Sequence, residues 1–153
     1  LLLRPREATG FDDPEAPTSL ETLVKAVGAS AVPWHRSVDC CGGGMSLFRT
    51  GSVVRLGRSI LEDAREAGAH AVLVACPMCH SNLDLRQRAI SAQRGEELGM
   101  PILYLSQLLG LALGVDPRTL GLGRHFVSTA SVLAMLDAPP ALTEGRQSRQ
   151  ETV

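Results

Sequence analysis

Four cysteines carry the chemistry open to this sequence, and they fall in two pairs. Cys40 and Cys41 are adjacent and run into Gly42, Gly43 and Gly44; Cys76 and Cys79 form a Cys-Pro-Met-Cys, and residues 42–75, 34 in all, separate the pairs. Each pair is placed where a loop is expected to meet a helix. Partial positive charge at a helix N-terminus lowers a thiol pKa and favours a thiolate-bound anionic group. A glycine run lets backbone approach closely and turn N–H groups toward sulfur, a nest-like arrangement that tunes reduction potential. Pro77 holds the turn that presents Cys76 and Cys79 together.

Several chemistries fit four thiols. A lone CxxC could be a thioredoxin-like redox pair, but such a pair has no need of a second, vicinal one. Structural zinc is an alternative, although zinc sites prefer two to four residues between paired ligands and adjacent cysteines strain a single tetrahedral centre. Buried inert thiols would explain neither the glycines nor the helix-start positions. A cluster of several irons suits a vicinal pair best, because neighbouring sulfurs can go to different metals or bridge two. Iron–sulfur ligation by Cys40, Cys41, Cys76 and Cys79 is therefore the favoured reading, with zinc as the alternative.

The elements that must position these residues follow from the pattern of apolar side chains. Residues 1–17 hold Pro5, Pro14 and Pro17 and read as an irregular loop. Thr18 and Ser19 are expected to cap a helix over 19–28 with Leu20, Leu23, Val24 and Val27 on one face. Residues 30–36 could form a short strand, which Pro33 demotes to an edge or extended segment. Long helices are predicted at about 47–67, closed by Gly68, and at about 78–95. Between them, 70–75 reads as a buried parallel strand. A further strand at 101–104 leads into an apolar helix over 105–113, and 127–136 is expected to be helical. Helices alternating with short apolar strands imply an α/β fold, a small parallel sheet flanked by helices. One domain over 1–136 is expected, followed by a polar, Pro-containing tail over 137–153 of disordered character.

Composition narrows the classes. With 15 basic and 16 acidic residues the net charge is −1, and five residues are aromatic, so the chain lacks the basic footprint of a nucleic-acid binder. No run of apolar residues is long enough to span a bilayer. No export signal is visible, so the cysteines are expected in a reducing, cytoplasmic setting. The chain starts at Leu1 without a methionine and reads as a piece of something longer.

Three stretches then carry a resemblance: Asp39-Cys40-Cys41-Gly42-Gly43, Val74-Ala75-Cys76-Pro77-Met78-Cys79-His80-Ser81-Asn82-Leu83-Asp84, and Leu103 through Gly114. From Leu1 to about Ser128 the sequence resembles the C-terminal half of the heterodisulfide reductase B-type chain. That resemblance implies a CCG-domain-like, Rossmann-like half. It also implies a non-cubane [4Fe–4S] cluster held by five cysteines per domain, to which Cys40, Cys41, Cys76 and Cys79 would contribute. The family's first cysteine is missing, but it often precedes a stretch like Leu1-Leu2-Leu3-Arg4-Pro5. The missing ligand is thus expected directly upstream of Leu1, with a first CCG domain beyond. The implied activity is one-electron reduction of a small-molecule disulfide, the coenzyme M–coenzyme B heterodisulfide or an analogue. Electrons would come through a ferredoxin-like C subunit from a flavin-containing A subunit. A CCG subunit of another oxidoreductase, resembling glycolate, lactate or succinate dehydrogenase complexes, is the runner-up; a zinc-stabilised interaction module is the third reading.

Other polar residues are candidates of lesser weight. His80 could hydrogen-bond a cluster sulfur or supply a proton to a leaving thiolate, or could simply cap a helix. Asn82 and Asp84 could orient the ligand loop or face solvent. Tyr104 and Gln107, past a strand end, could line the same crevice, with core or capping roles favoured. Arg49 and Arg55 could meet an anionic substrate, though exposed helix arginines are usually solvated. Trp34, His35 and His125 receive a structural reading, and His70 begins a strand.

Overall fold

The computed structural model describes residues 10, 12, 13 and 16–136. The expected tail at 137–153 and most of the N-terminal loop lie outside these residues. Six α-helices and two strands are found among the described residues: α1 Ser19–Ala26, α2 Thr50–Glu66, β1 Val72–Val74, α3 Pro77–Leu85, α4 Gln87–Arg94, β2 Ile102–Tyr104, α5 Leu105–Ala112 and α6 Ala130–Leu136. Short 3-10 turns at Gly43–Met45 and Leu122–Arg124 complete the order.

The strands pair in parallel, with Val72 opposite Ile102 and Val74 opposite Tyr104, and α3 and α4 form the crossover between them. A parallel pair requires such a crossover, since no tight turn can return the chain to the same end. The architecture is the expected small parallel sheet flanked by helices. Its core gathers one face of α2 (Val54, Ile60, Leu61, Ala64), the strand residues Val72, Val74 and Ile102, and Leu83, Ile90 and Met100 from the crossover. Leu61 is fully buried; truncating such a side chain to alanine costs about 2–5 kcal/mol.

Some elements depart from their expected bounds. The helix expected over 78–95 is two helices, broken at Arg86. Gln87, just past the break, turns inward and brackets Met100, donating to its carbonyl at 2.6 Å and accepting from its N–H at 3.0 Å. That pairing fixes the chain just before β2. No strand forms over 30–36. Pro33 leaves the segment without a ladder donor, and the backbone N–H groups of His35 and Arg36 bond instead to Asp63 of α2, at 2.9 and 3.0 Å. In α1 only Val24 of the expected apolar face is buried; Leu20 and Leu23 stay exposed.

Candidate metal centre

Both cysteine pairs lie at the carboxyl end of β1 or against it. Cys76 is the residue before the first turn of α3, in extended conformation, with Pro77 at the first helical position, where its missing N–H costs nothing. Cys79 follows one turn on. Cys40 and Cys41 end the loop that leads into the turn at Gly43–Met45. Gly42 has φ of 78°, a left-handed conformation that favours glycine, and its N–H lies 3.4 Å from the Cys40 sulfur.

The loops touch through Gly43. A Cβ placed there would stand 3.1 Å from Met78 Cβ and 3.9 Å from Cys41 Sγ. Gly44, by contrast, faces open space. Of the three glycines, Gly42 thus serves backbone geometry, Gly43 serves close approach, and Gly44 meets neither demand.

The four thiols differ in environment. Cys40 is exposed, Cys41 is buried, and Cys76 and Cys79 are half-buried. Cys79 lies against both Cys41 and Cys76, which links the vicinal pair to the CxxC. Burial first, then the neighbouring Cys41 and Cys76 thiols, pushes its pKa up to about 12. Cys76 moves the other way. The N–H of Cys79 and then that of Met78 face its sulfur, without closing a capping hydrogen bond, and outweigh burial to lower its pKa.

Asn82 ties the loops together from below. It is buried; its Nδ2 donates to Cys41 Sγ at 3.6 Å, and its Oδ1 accepts from Ser46 Oγ at 3.0 Å and Arg86 Nε at 3.2 Å. Arg86 also donates to the Ser46 carbonyl at 3.0 Å. Asp84 is buried as well. Its two oxygens accept the N–H groups of Phe126 and Val127 at 2.8 and 3.0 Å, drawing residues far along the chain back onto α3.

That return brings His125 to His80. The rings meet edge to face at 4.7 Å between centroids, and Tyr104 stacks on His80 at 4.4 Å. Burial, then the charge of His125, lowers the His80 pKa, with Asp84 and the Ile102 backbone acting against the shift. His80 Nε2 and His125 Nδ1 are buried without a hydrogen-bond partner. One donor atom each from His80, Asp84 and His125 lie within 4.8 Å of one another. Gln107 decides how this trio works. Its Oε1 accepts from Tyr104 N and its Nε2 donates to the Leu120 carbonyl, so the same Nε2 also donates to His125 Nε2 at 2.9 Å. His80, Asp84 and His125 thus form a cluster next to Cys79 whose ligand atoms could hold a metal ion.

Of the residues singled out in the sequence, the structure sets Cys79 against Cys41 and Cys76 and Asn82 against Cys41, while Cys40 is exposed with its sulfur on the Gly42 N–H. Tyr104 closes β2 and stacks on His80, and Gln107, past the strand end, caps α5 at the Tyr104 N–H and reaches His125. His125, given a structural reading alone, stands in the histidine cluster; its partner was hidden because the contact spans a long stretch of sequence. Ser46 and Arg86 were missed too. The spacing of Arg86 four residues after Asn82, one helical turn, is the signal that could have found it. Apolar residues close to the cysteines in sequence stay exposed: Leu47 and Phe48 are 91% and 76% exposed, and Val38 and Met78 also face solvent.

The chain belongs to the CCG cysteine-rich domain family, whose model matches residues 2–84. It is 35% identical over 130 residues to the 8-methylmenaquinol:fumarate reductase membrane anchor subunit of Wolinella succinogenes, covering 85% of this chain and 46% of that protein. It is 33% identical over 137 residues to the B-type chain of the ferredoxin:CoB-CoM heterodisulfide reductase of Methanosarcina mazei, covering 88% and 46% respectively. A protein of Archaeoglobus profundus named for its likeness to the same heterodisulfide reductase chain is 28% identical over 108 residues. The chain thus spans about half the length, or less, of the curated relatives it matches. Among the described residues no helix is long and apolar enough to cross a membrane. A cysteine-rich CCG domain in which Cys79 meets Cys41 of the other loop, with a buried amide donor on the Cys41 sulfur, fits an iron–sulfur cluster.

Proposed function

We propose that this chain is the cluster-bearing portion of a heterodisulfide reductase-like subunit that reduces a small-molecule disulfide in one-electron steps. Cys40, Cys41, Cys76 and Cys79 hold a non-cubane [4Fe–4S] cluster, with a fifth cysteine supplied from outside this chain. The observation that carries this reading is the meeting of Cys41 and Cys79, residues of different loops, at the Gly43–Met78 contact. When bound, the cluster supplies single electrons and an iron to which a substrate thiolate can attach. The protein's own part is to hold the sulfurs in two loops, to keep Cys41 from solvent and to place His80 beside Cys79 as the proton-holding group. A ferredoxin-like C subunit and a flavin-containing A subunit are the partners, in the cytoplasm.

A second reading has one specific support. The relative at 35% identity is named as a subunit of a fumarate reductase, so the domain could pass electrons in another oxidoreductase and cleave no disulfide. Anaerobic purification of the complete subunit, with metal analysis and EPR, separates these. Several irons per chain with a signal that changes on adding substrate thiol support disulfide chemistry. Iron whose signal ignores thiols supports the second reading. A single zinc without iron overturns both.

A further inference from the structure

We infer that Asn82 is a positioning residue that sets the reduction potential of the bound cluster through its hydrogen bond to the Cys41 sulfur. The inference rests on the ligand assignment of the proposed function and extends it to a residue outside the ligand set.

The geometry leaves the Asn82 amide one orientation. Its oxygen faces two donors, Ser46 Oγ and Arg86 Nε. A flipped amide would set its NH2 against the arginine and its oxygen against sulfur, losing both the Arg86 and the Cys41 contact. The NH2 group is therefore held toward Cys41 Sγ, at 3.6 Å. Arg86 is itself anchored on the Ser46 carbonyl, so the vicinal-cysteine loop and α3 are locked into the same network. Asn82 is 3% exposed and Cys41 2%. No bulk water competes for that sulfur, and an N–H in so dry a place acts more strongly than one at the surface.

A hydrogen bond to a metal-bound sulfur draws electron density from it and stabilises the reduced, more negative cluster. Arg86, positively charged behind the amide oxygen, polarises the amide in the same sense. Asn82 therefore raises the potential. A role in packing alone would leave the potential where it is.

The test uses the complete subunit, purified anaerobically with its cluster, and the variants Asn82→Asp and Asn82→Leu. Aspartate keeps the size and the acceptor oxygen for Ser46 and Arg86 but replaces the N–H donor with a second oxygen. Three quantities are read: iron per chain, midpoint potential in an EPR-monitored titration, and coupling of exchangeable deuterons in the paramagnetic state after transfer to D2O. The expected result is wild-type iron content, a shift to more negative potential that is larger for aspartate, and loss of one exchangeable coupling. Should the leucine variant fail to fold, the loss of the exchangeable coupling in the aspartate variant decides, because the charge it adds lowers the potential by itself. An iron-loaded Asn82→Asp subunit with unchanged potential and coupling overturns the inference and leaves the proposed function standing. Loss of iron from Asn82→Asp makes the contact structural and overturns it equally. Wild-type protein without iron overturns the proposed function itself.

Discussion

Gly43 stands so close to Met78 that a Cβ on the glycine would come within 3.1 Å of the methionine's own Cβ. Met78 lies between the two cysteines of the CxxC, so this contact sets how near the loops come. Gly43→Ala must push them apart, at a cost of about 1–3 kcal/mol typical of overpacking. Iron per chain after anaerobic reconstitution should fall well below wild type. Gly44→Ala, with nothing near its added Cβ, should load normally. Equal iron in the two variants would show that the approach does not govern loading.

The thiols should react in an order set by their environments. In metal-free protein Cys76, with its lowered pKa, should alkylate at least about tenfold faster than Cys79 at pH 8, measured by mass spectrometry of quenched samples. The Cys79 shift also has a stability consequence. Its folded value, about 12, lies above the ordinary value of 9.0. Below 9 both folded and unfolded thiols are neutral and nothing is lost; above it the unfolded chain ionises first and stability declines. Thermal melts between pH 7 and 10.5 should show that slope, and Cys79→Ala should flatten it.

Asp63 gives the opposite pH dependence. Burial would raise its pKa, but the N–H groups of Arg36 and His35 and the His35 ring more than offset this and lower it. A carboxylate with a depressed folded pKa stabilises at pH above its unfolded value and loses that contribution as pH falls through the folded one. Asp63→Asn should therefore melt below wild type at pH 6, with the difference closing below pH 3.8. A gap that persists undiminished to pH 2 would remove the charge from the explanation.

Asp84→Ala leaves the N–H groups of Phe126 and Val127 without their acceptor. Both bonds are part-buried, so their loss costs about 1–3 kcal/mol. Urea denaturation should report that loss, and limited proteolysis should open near residue 125. Unchanged resistance to protease would mean that the segment is held by something else.

The cysteine pairs, the parallel strands and the α/β class were legible because each depends on neighbours in sequence: a Cys-Cys-Gly turn, a short Val-Leu-Val strand, a proline at a helix start. The errors fell where distant contacts decide. Residues 30–36 read as a short strand, yet Asp63, 28 residues from His35, takes the amides of His35 and Arg36. The break at Arg86 likewise answers to Ser46, 40 residues away. His125 looked incidental because nothing local shows that Asp84 fastens the backbone immediately after it. Gly44 was read with its neighbours as one unit, since a glycine run does not reveal which member faces a crowded surface.

The anchoring of Phe126 and Val127 on Asp84, across 42 and 43 positions, bears on the order of events during synthesis. While a ribosome extends the chain past Cys79, the helix carrying that residue emerges with its carboxylate unanswered and His80 without His125. The cysteine-bearing helix therefore reaches its final surroundings only after translation has passed Val127, and nascent chains arrested before that point should expose their thiols to reagents that released chains resist.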